Sequence, residues 1–572
     1  MARTPRKRKS ALPARKSAHD QTEINVEDEA LKNALNSQYQ RAPYPTPSDD
    51  DDLCSADEDD KLDFEDEATA GTGYNTTPLL GKPTSFKEPA ILRPQGLPQV
   101  ETTVDDHWTY LFFRFCAERH KMYDRRQAGI PRDQLTKDET MSKEHIGNVF
   151  RQLDPSSKNI GIDIIGKGDQ SHEEVCFRLF LYCMFYSEAT WNALCTSIGG
   201  IPTWRNYISD LPVFESVLHR ISFIENKKIY YGGFQLVPPT VYFTDNRNRD
   251  KTMFHYAASL RLVLAMMLAK LPDQLLKCQY AVDASHVLQT IPTLGGFLSW
   301  NILCFLNDTT HFTWYFRNYA TCGPGPRSYL GRIFGGKNVI NSIAMEEAGL
   351  IWLYENQWKY WARLGEDPPH AHEIGLRPGM RVLDFENALC WCHRYVNAFE
   401  RKRYGNFGHI PHPEYDPEIT ENTSAPAWCT EERWMKSTSK AAWVGDYDEA
   451  QCKLESVDGQ EEVYEVEKIV MRKGLRSEKN SYFRVRWKGY TPEEDTWEKA
   501  DSLKDGAEET LEDWVQWENR VWDNIEKVKR QYPFIRPQIP KSEPSAVQDE
   551  NEQGDARSGR AVKRMKREAI PS

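Results

Sequence analysis

The sequence predicts a multidomain protein: a large, mainly α domain, a small three-stranded antiparallel sheet closed by a C-terminal helix, and disordered ends. Three observations predict it. From Val104 to Gly405 aliphatic and aromatic residues are dense, and most windows repeat every three or four positions. From Tyr464 to Glu498 apolar and polar residues alternate, with a break at Gly474. Before about residue 100 and after Tyr532 large apolar residues thin out, and Pro, Ser and charge take over.

A chain of 572 residues has room for about two to four domains. Its net charge of −12 argues against a globally basic nucleic-acid binder, although the charge is unevenly placed. The 12 cysteines are scattered, with Cys390 and Cys392 the one close pair, so neither a zinc-finger spacing nor a disulfide framework is expected. A reducing compartment suits that usage. The basic N-terminus has no apolar stretch behind it, and no run approaches the roughly 18 apolar residues of a membrane helix. A soluble, intracellular protein is expected, with no cofactor, no metal and no membrane partner.

In chain order, residues 1–100 form a disordered basic and acidic arm. It opens on Arg3, Arg6, Lys7, Arg8 and Lys9 and carries an acidic block from Ser48 to Glu67. A second basic cluster, Lys563-Arg564-Met565-Lys566-Arg567, lies in the tail at 534–572. Such clusters serve nuclear import or phosphate contact, so a nuclear location is expected; a solvated charged tail is the plain alternative.

The helical domain is placed at 101–410, with helices over Trp108–Arg126, Glu173–Ser187, Phe254–Leu271 and Met345–Leu364 and a short strand at Val241–Phe243. Two glycine-containing turns stand out. One is Ile291-Pro292-Thr293-Leu294-Gly295-Gly296, the other Cys322-Gly323-Pro324-Gly325-Pro326-Arg327. Backbone amides at such turns, where helices begin, suit a DNA phosphate. Gly295, Gly296, Gly323 and Gly325 are therefore candidate phosphate contacts, with Arg119, Arg126, Arg151 and Arg178 as bidentate grips. The competing reading is loops between core helices and internal salt bridges. A linker rich in Pro and acids follows at 411–457. The sheet and helix occupy 458–533. Leu511, Trp514, Val515, Trp522, Ile525 and Val528 share one helical face there.

Taken together, Tyr464-Glu465-Val466-Glu467-Lys468-Ile469, Tyr482-Phe483-Arg484-Val485-Arg486-Trp487-Lys488-Gly489-Tyr490 and Asp495-Thr496-Trp497-Glu498 resemble the chromodomain in order and spacing. The resemblance implies that Tyr464, Trp487 and Tyr490 form an aromatic cage, with Glu494 at its rim and Trp497 in the core. It further implies a methylated histone tail, H3 first, as partner. The chemistry agrees: a methylated ammonium keeps its charge, loses donors and gains apolar methyls, so a box of π faces suits it. Ser502 and Lys504 stand where many chromodomains carry Asn and Asp, which leaves the preferred peptide open.

A second resemblance covers about half the chain. Arg119…Arg125-Arg126, Asn148-x-x-Arg151-x-x-Asp154, Cys176-Phe177-Arg178, Thr190-Trp191, Leu294…Phe297, Gly323-Pro324-Gly325 and Asp384-x-Glu386-x-x-x-Cys390 follow the helical domain named for 5-hydroxymethyluracil DNA kinases. That domain is also found in thymine pyrophosphorylases and is similar in plan to helix-hairpin-helix DNA glycosylases. The resemblance implies DNA as a partner and, if chemistry survives, Asp308, Asp384 and Glu386 as its carriers beside a flipped base. Trp391 after Cys390 and Pro155 after Asp154 depart from the pattern, and no Walker-type phosphate loop occurs. Three readings stay open: a chromatin reader, a DNA-modifying enzyme acting on modified thymine, and an inert scaffold. One more feature concerns the arm. Ala2-Arg3-Thr4, Arg8-Lys9-Ser10-Ala11 and Arg15-Lys16-Ser17-Ala18 resemble the histone H3 tail, which marks Lys9 and Lys16 as candidate methylation sites.

Overall fold

The computed structural model describes residues 87–94, 98–230, 239–244, 253–314, 319–336, 338–376, 378–404, 464–474, 476, 481–504 and 506–535. The basic clusters, the acidic block and the 411–457 linker lie outside them.

The fold reaches back beyond residue 101. Strands β1 (Lys87–Leu92) and β2 (Val100–Asp105) pair antiparallel, from Lys87 opposite Asp105 to Leu92 opposite Val100. Ala90, Leu92 and Val104 are buried, and the Thr102 hydroxyl donates to the Phe334 carbonyl at 3.2 Å. Asp105 ends β2 and starts α1 (Asp106–Gln127), its carboxylate accepting from the Trp108 amide at 3.3 Å. Helices α2 (Glu139–Lys143), α3 (Pro155–Ile160), α4 (His172–Phe185), α5 (Glu188–Ile198), α6 (Trp204–Ser209) and α7 (Leu211–His219) follow. Next come α8 (Thr240–Phe243), α9 (His255–Leu268), α10 (Leu271–Leu276), α11 (Ala281–Gln289) and α12 (Gly296–Asn307). The domain closes with α13 (Pro324–Phe334), α14 (Ile343–Leu364) and α15 (Val382–Tyr404). The expected long helices are present.

The expected strand at Val241–Phe243 is instead the helical turn α8. Its β-favouring composition yields to position: Pro239 starts the turn, and the Tyr242 ring meets Trp522 edge-on at 5.6 Å. Packing overrides propensity in so short a segment.

The C-terminal sheet runs β3-β4-β5, all antiparallel: β3 (Val466–Lys473), β4 (Tyr482–Trp487) and β5 (Thr496–Lys499). Its own core is small, with Ile469, Phe483, Val485, Leu503, Ala507 and Trp514 buried together. Trp497, expected in that core, is half-buried outside it, under the Lys473 ammonium at 6.0 Å. Trp514 fills the place instead. The final helix, α16 (Glu508–Gln531), places acids in its first turn and Lys529 and Arg530 in its last, as the helix dipole favours.

This helix serves two cores. Trp514 closes the sheet, whereas Trp517, Val521, Ile525 and Val528 belong to the core of the helical domain. Trp517 Nε1 donates to Thr290 Oγ1 at 3.1 Å, and Arg261 Nε donates to the Tyr532 carbonyl at 2.8 Å. The described residues up to Phe534 thus form one compact unit. Among the described residues no helix is long and apolar enough to cross a membrane.

Trp517 is 2 % exposed. Trp517→Ala is expected to lower the unfolding free energy by about 3–5 kcal/mol, measured by denaturant titration. The parent protein should lose sheet and helical-domain signals in one transition; two well-separated transitions would contradict the shared core.

Candidate functional site

Strand alternation builds the first site. Along β4, Phe483, Val485 and Trp487 face the small core, and Arg484 and Arg486 face the other way. Half-buried strands were expected there, but Arg484 is 4 % exposed and Arg486 0 %. Helix α11 covers that face. Arg486 Nη2 donates to Asp283 Oδ1 at 3.0 Å and to Asp495 Oδ2 at 3.0 Å, and Arg486 Nε also meets Asp495. Lys468 Nζ reaches Asp283 Oδ2 at 2.7 Å, and the Tyr280 ring lies 4.8 Å from the Arg486 guanidinium. Burial and the two arginines push His286 of α11 well down, so it stays neutral beside β3. Burial likewise lifts Glu347, near Arg484, to about 8.

Trp487 ends β4 on the opposite face. Its indole Nε1 donates to Thr496 Oγ1 at 3.0 Å, and that hydroxyl donates to Glu498 Oε1 at 2.7 Å, which fixes the ring plane. The chain then turns at Lys488-Gly489. Gly489 has φ +84°, a conformation that disfavours a side chain, and the turn brings Tyr490 back. The Tyr490 amide donates to the Trp487 carbonyl at 3.1 Å, and the Lys488 amide to the Glu465 carbonyl at 2.9 Å. Tyr464 therefore lies between the other two: its ring centroid is 6.0 Å from that of Trp487 and 5.8 Å from that of Tyr490, at interplanar angles of 63° and 60°. All three rings are half-buried. The Tyr464 ring is thus inclined to both of the others. Glu494 is exposed and accepts from the Thr491 amide at 2.9 Å, so its carboxylate closes a one-turn capping box. Ser502 donates to the Lys499 carbonyl at 2.8 Å, and Lys504 pairs with Asp501.

The candidates of the helical domain separate into two groups. Arg151, Asp308 and Glu386 come together in the interior. Arg151 donates to Asn301 Oδ1 at 2.9 Å and lies 4.5 Å from the centre of the Phe305 ring. Burial pushes Asp308 up to about 7 against the pull of Arg151 and Arg381, and one of its oxygens is buried without a hydrogen bond. Burial also lifts Glu386 to about 7, although Arg151, the Gly323 amide and Trp300 Nε1 favour its charge; both donors sit at 3.4 Å. Asp384 does not join them. It is 0 % exposed and is held by Arg381 through Nε at 2.8 Å and Nη2 at 2.9 Å.

The other group is architectural. Arg119 Nε donates to the Ile146 carbonyl at 3.1 Å, and Arg178 Nε to the Ile164 carbonyl at 2.8 Å, both from buried positions. Arg126 is half-buried beside the charge of Arg132. The Gly323 amide points inward to Glu386, and a Cβ at Gly323 would come within 2.8 Å of the Phe297 ring. A Cβ at Gly325 would sit 3.4 Å from Cys390 Sγ, so that glycine lets α13 approach α15. At Gly296 a Cβ would lie 3.2 Å from Thr321, whereas Gly295 is exposed with nothing within 4 Å. The start of α12 is thus the open one of the two glycine turns.

The pattern reading missed Asp283, Asn301 and the Thr496–Glu498 brace. Asp283 carries no local signal, because its partners lie about 200 residues away in sequence.

A carboxyl whose native pKa lies above its ordinary value near 4 makes the native state bind more protons between about pH 4 and 7. Asp308 and Glu386 therefore favour folding on the acid side, and that advantage is lost as pH rises through 7. Asp308→Asn should gain stability relative to the parent as pH rises from about 5 to 8, read by thermal denaturation. A difference that stays flat across that range would contradict the assignment.

Comparison with known proteins adds three findings. Residues 106–403 match the family model described as 5-hmdU DNA kinase, helical domain, and residues 464–516 match the chromo (chromatin organisation modifier) domain. The chromatin-associated protein SWI6 of Cryptococcus neoformans var. grubii serotype A is 43 % identical over 60 residues, 10 % of this chain and 26 % of that protein. The chain thus shares only about a quarter of that relative's length. No solved structure matches the chain.

Proposed function

From a chain that belongs to the 5-hmdU DNA kinase helical-domain family and also carries a chromodomain, we propose a chromatin reader that binds methylated lysine on a histone tail and acts in the nucleus. The observation that carries this reading is the convergence of Tyr464, Trp487 and Tyr490. Each π face contributes roughly 0.5–2 kcal/mol to a desolvated cation, and the methyl groups add apolar contact that a plain ammonium lacks. A histone H3 tail adding as a strand supplies backbone hydrogen bonds. Chromatin association is also what characterises the SWI6 relative.

The helical domain gives the reader its second contact. DNA at the exposed start of α12, around Gly295 and Gly296, is the partner proposed there. An enzyme acting on modified thymine is the second reading. It draws on Asp308 and Glu386 beside Arg151, a cluster with shifted proton affinities of the kind found at active sites. Both carboxylates are only 6 % exposed, which favours the reader.

Trp487→Ala and, separately, Tyr464→Ala are expected to weaken binding of a trimethyl-lysine H3 peptide by about 2- to 30-fold, the effect of losing one π face. The full chain titrated by fluorescence anisotropy measures this, with circular dichroism checking the fold. Unchanged affinity in both folded variants would sink the cage.

A further inference from the structure

The cage is the end of a longer surface. Among the described residues no strand pairs beyond β5, so that strand's outer edge has no strand partner and is the place for an added one. Exposed carboxylates neighbour the rings in sequence: Glu467, Glu493, Glu494 and Glu465, the last paired with Lys488 at 3.1 Å. A strand laid here would place alternate side chains toward the domain. Its lysine enters the cage, and the residues two before and two after it share that face. Small residues suit both places, because the backbone must come close enough to hydrogen-bond. Basic residues suit the remaining positions, which look toward the acidic rim.

One segment of this chain meets each condition. Residues 1–18 hold seven Lys and Arg and no acid, and Arg-Lys-Ser-Ala occurs twice, at 8–11 and 15–18. In the second copy Lys16 has Ala14 and Ala18 at the two same-face positions, with Arg15 and Ser17 opposite. In the first copy the position two before Lys9 is Lys7, a long charged side chain where a small one is needed. The second copy is the better fit.

We infer that Ala14-Arg15-Lys16-Ser17-Ala18, methylated on Lys16, is itself a ligand of this cage; the inference rests on the methyl-lysine reading above. The methyl groups come from a sulfonium donor through a separate methyltransferase. Each transfer forms one N–CH3 bond, breaks one S–CH3 bond and releases one proton, and the nitrogen ends as a fixed cation. About 70 residues separate Lys16 from β1, so the arm and the rings meet at an effective concentration set by one chain rather than by a free ligand. A methylated arm therefore competes with histone tails for the same rings.

The test uses the full chain and three fluorescent probes: residues 10–20 with trimethyl-lysine at 16, the same peptide unmodified, and a trimethyl-lysine H3 peptide. The inference expects the methylated arm peptide to bind at least tenfold tighter than its unmodified form. Trp487→Ala and Tyr464→Ala should each erase that difference, and Ala14→Tyr in the peptide should weaken it. Equal binding of the two arm peptides, or a preference that survives in both cage variants, overturns the inference. If the H3 probe binds through the cage and the arm probe does not, the inference falls and the reader stands. If neither binds, both fall.

Discussion

A wholly buried guanidinium is the constraint on which the C-terminal half of this protein depends. Arg486 is 0 % exposed, and a cation taken out of water costs several kcal/mol unless it is matched. Two carboxylates match it: Asp495 from its own sheet and Asp283 from α11, which also takes Lys468. Neither half of the fold satisfies its charges alone. The sheet without α11 exposes two arginines on a central strand, and α11 without the sheet leaves Asp283 without Arg486 and Lys468. Helix α16 repeats the arrangement in apolar form, with Trp514 in one core and Trp517 in the other.

That coupling bears directly on the cage. Arg486 and Trp487 are neighbours on β4 and point to opposite faces, so the strand that is locked to the helical domain also carries one of the three rings. The brace from Trp487 through Thr496 to Glu498 then holds the ring plane. The chromodomain is therefore held in a fixed relation to the start of α12, only a short loop beyond α11. A tethered chromodomain samples many orientations; this one is packed against the helical domain through Asp283 and Trp517.

Much of this was legible in the residues, and the physical reason differs from element to element. The long helices and the C-terminal strands announce themselves because their periods, 3.6 and 2, persist over enough residues to outweigh local exceptions. Tyr464, Trp487 and Tyr490 were singled out through the chromodomain resemblance, and the structure sets the Tyr464 ring 6.0 Å from Trp487 and 5.8 Å from Tyr490. The strand expected at Val241–Phe243 failed because three residues carry too little period to resist packing against Trp522. The alternating arginines of β4 read as a solvated face, and only Asp283, far away in sequence, reveals them as buried. Of the arginines proposed to grip phosphate, Arg119 and Arg178 bind main-chain carbonyls, a choice no local pattern records. Asp384 and Glu386 stand two residues apart, yet one is held by Arg381 and the other faces Arg151.

The functional reading stands on the idea that π faces here hold a permanent positive charge. Shape alone would admit any bulky, rounded side chain. Binding of one H3 peptide carrying trimethyl-lysine, compared with the same peptide carrying its uncharged carbon isostere, separates charge from shape in the full chain. Affinity at least several-fold higher for the cation is the predicted result. Equal affinity for the two peptides would contradict the account.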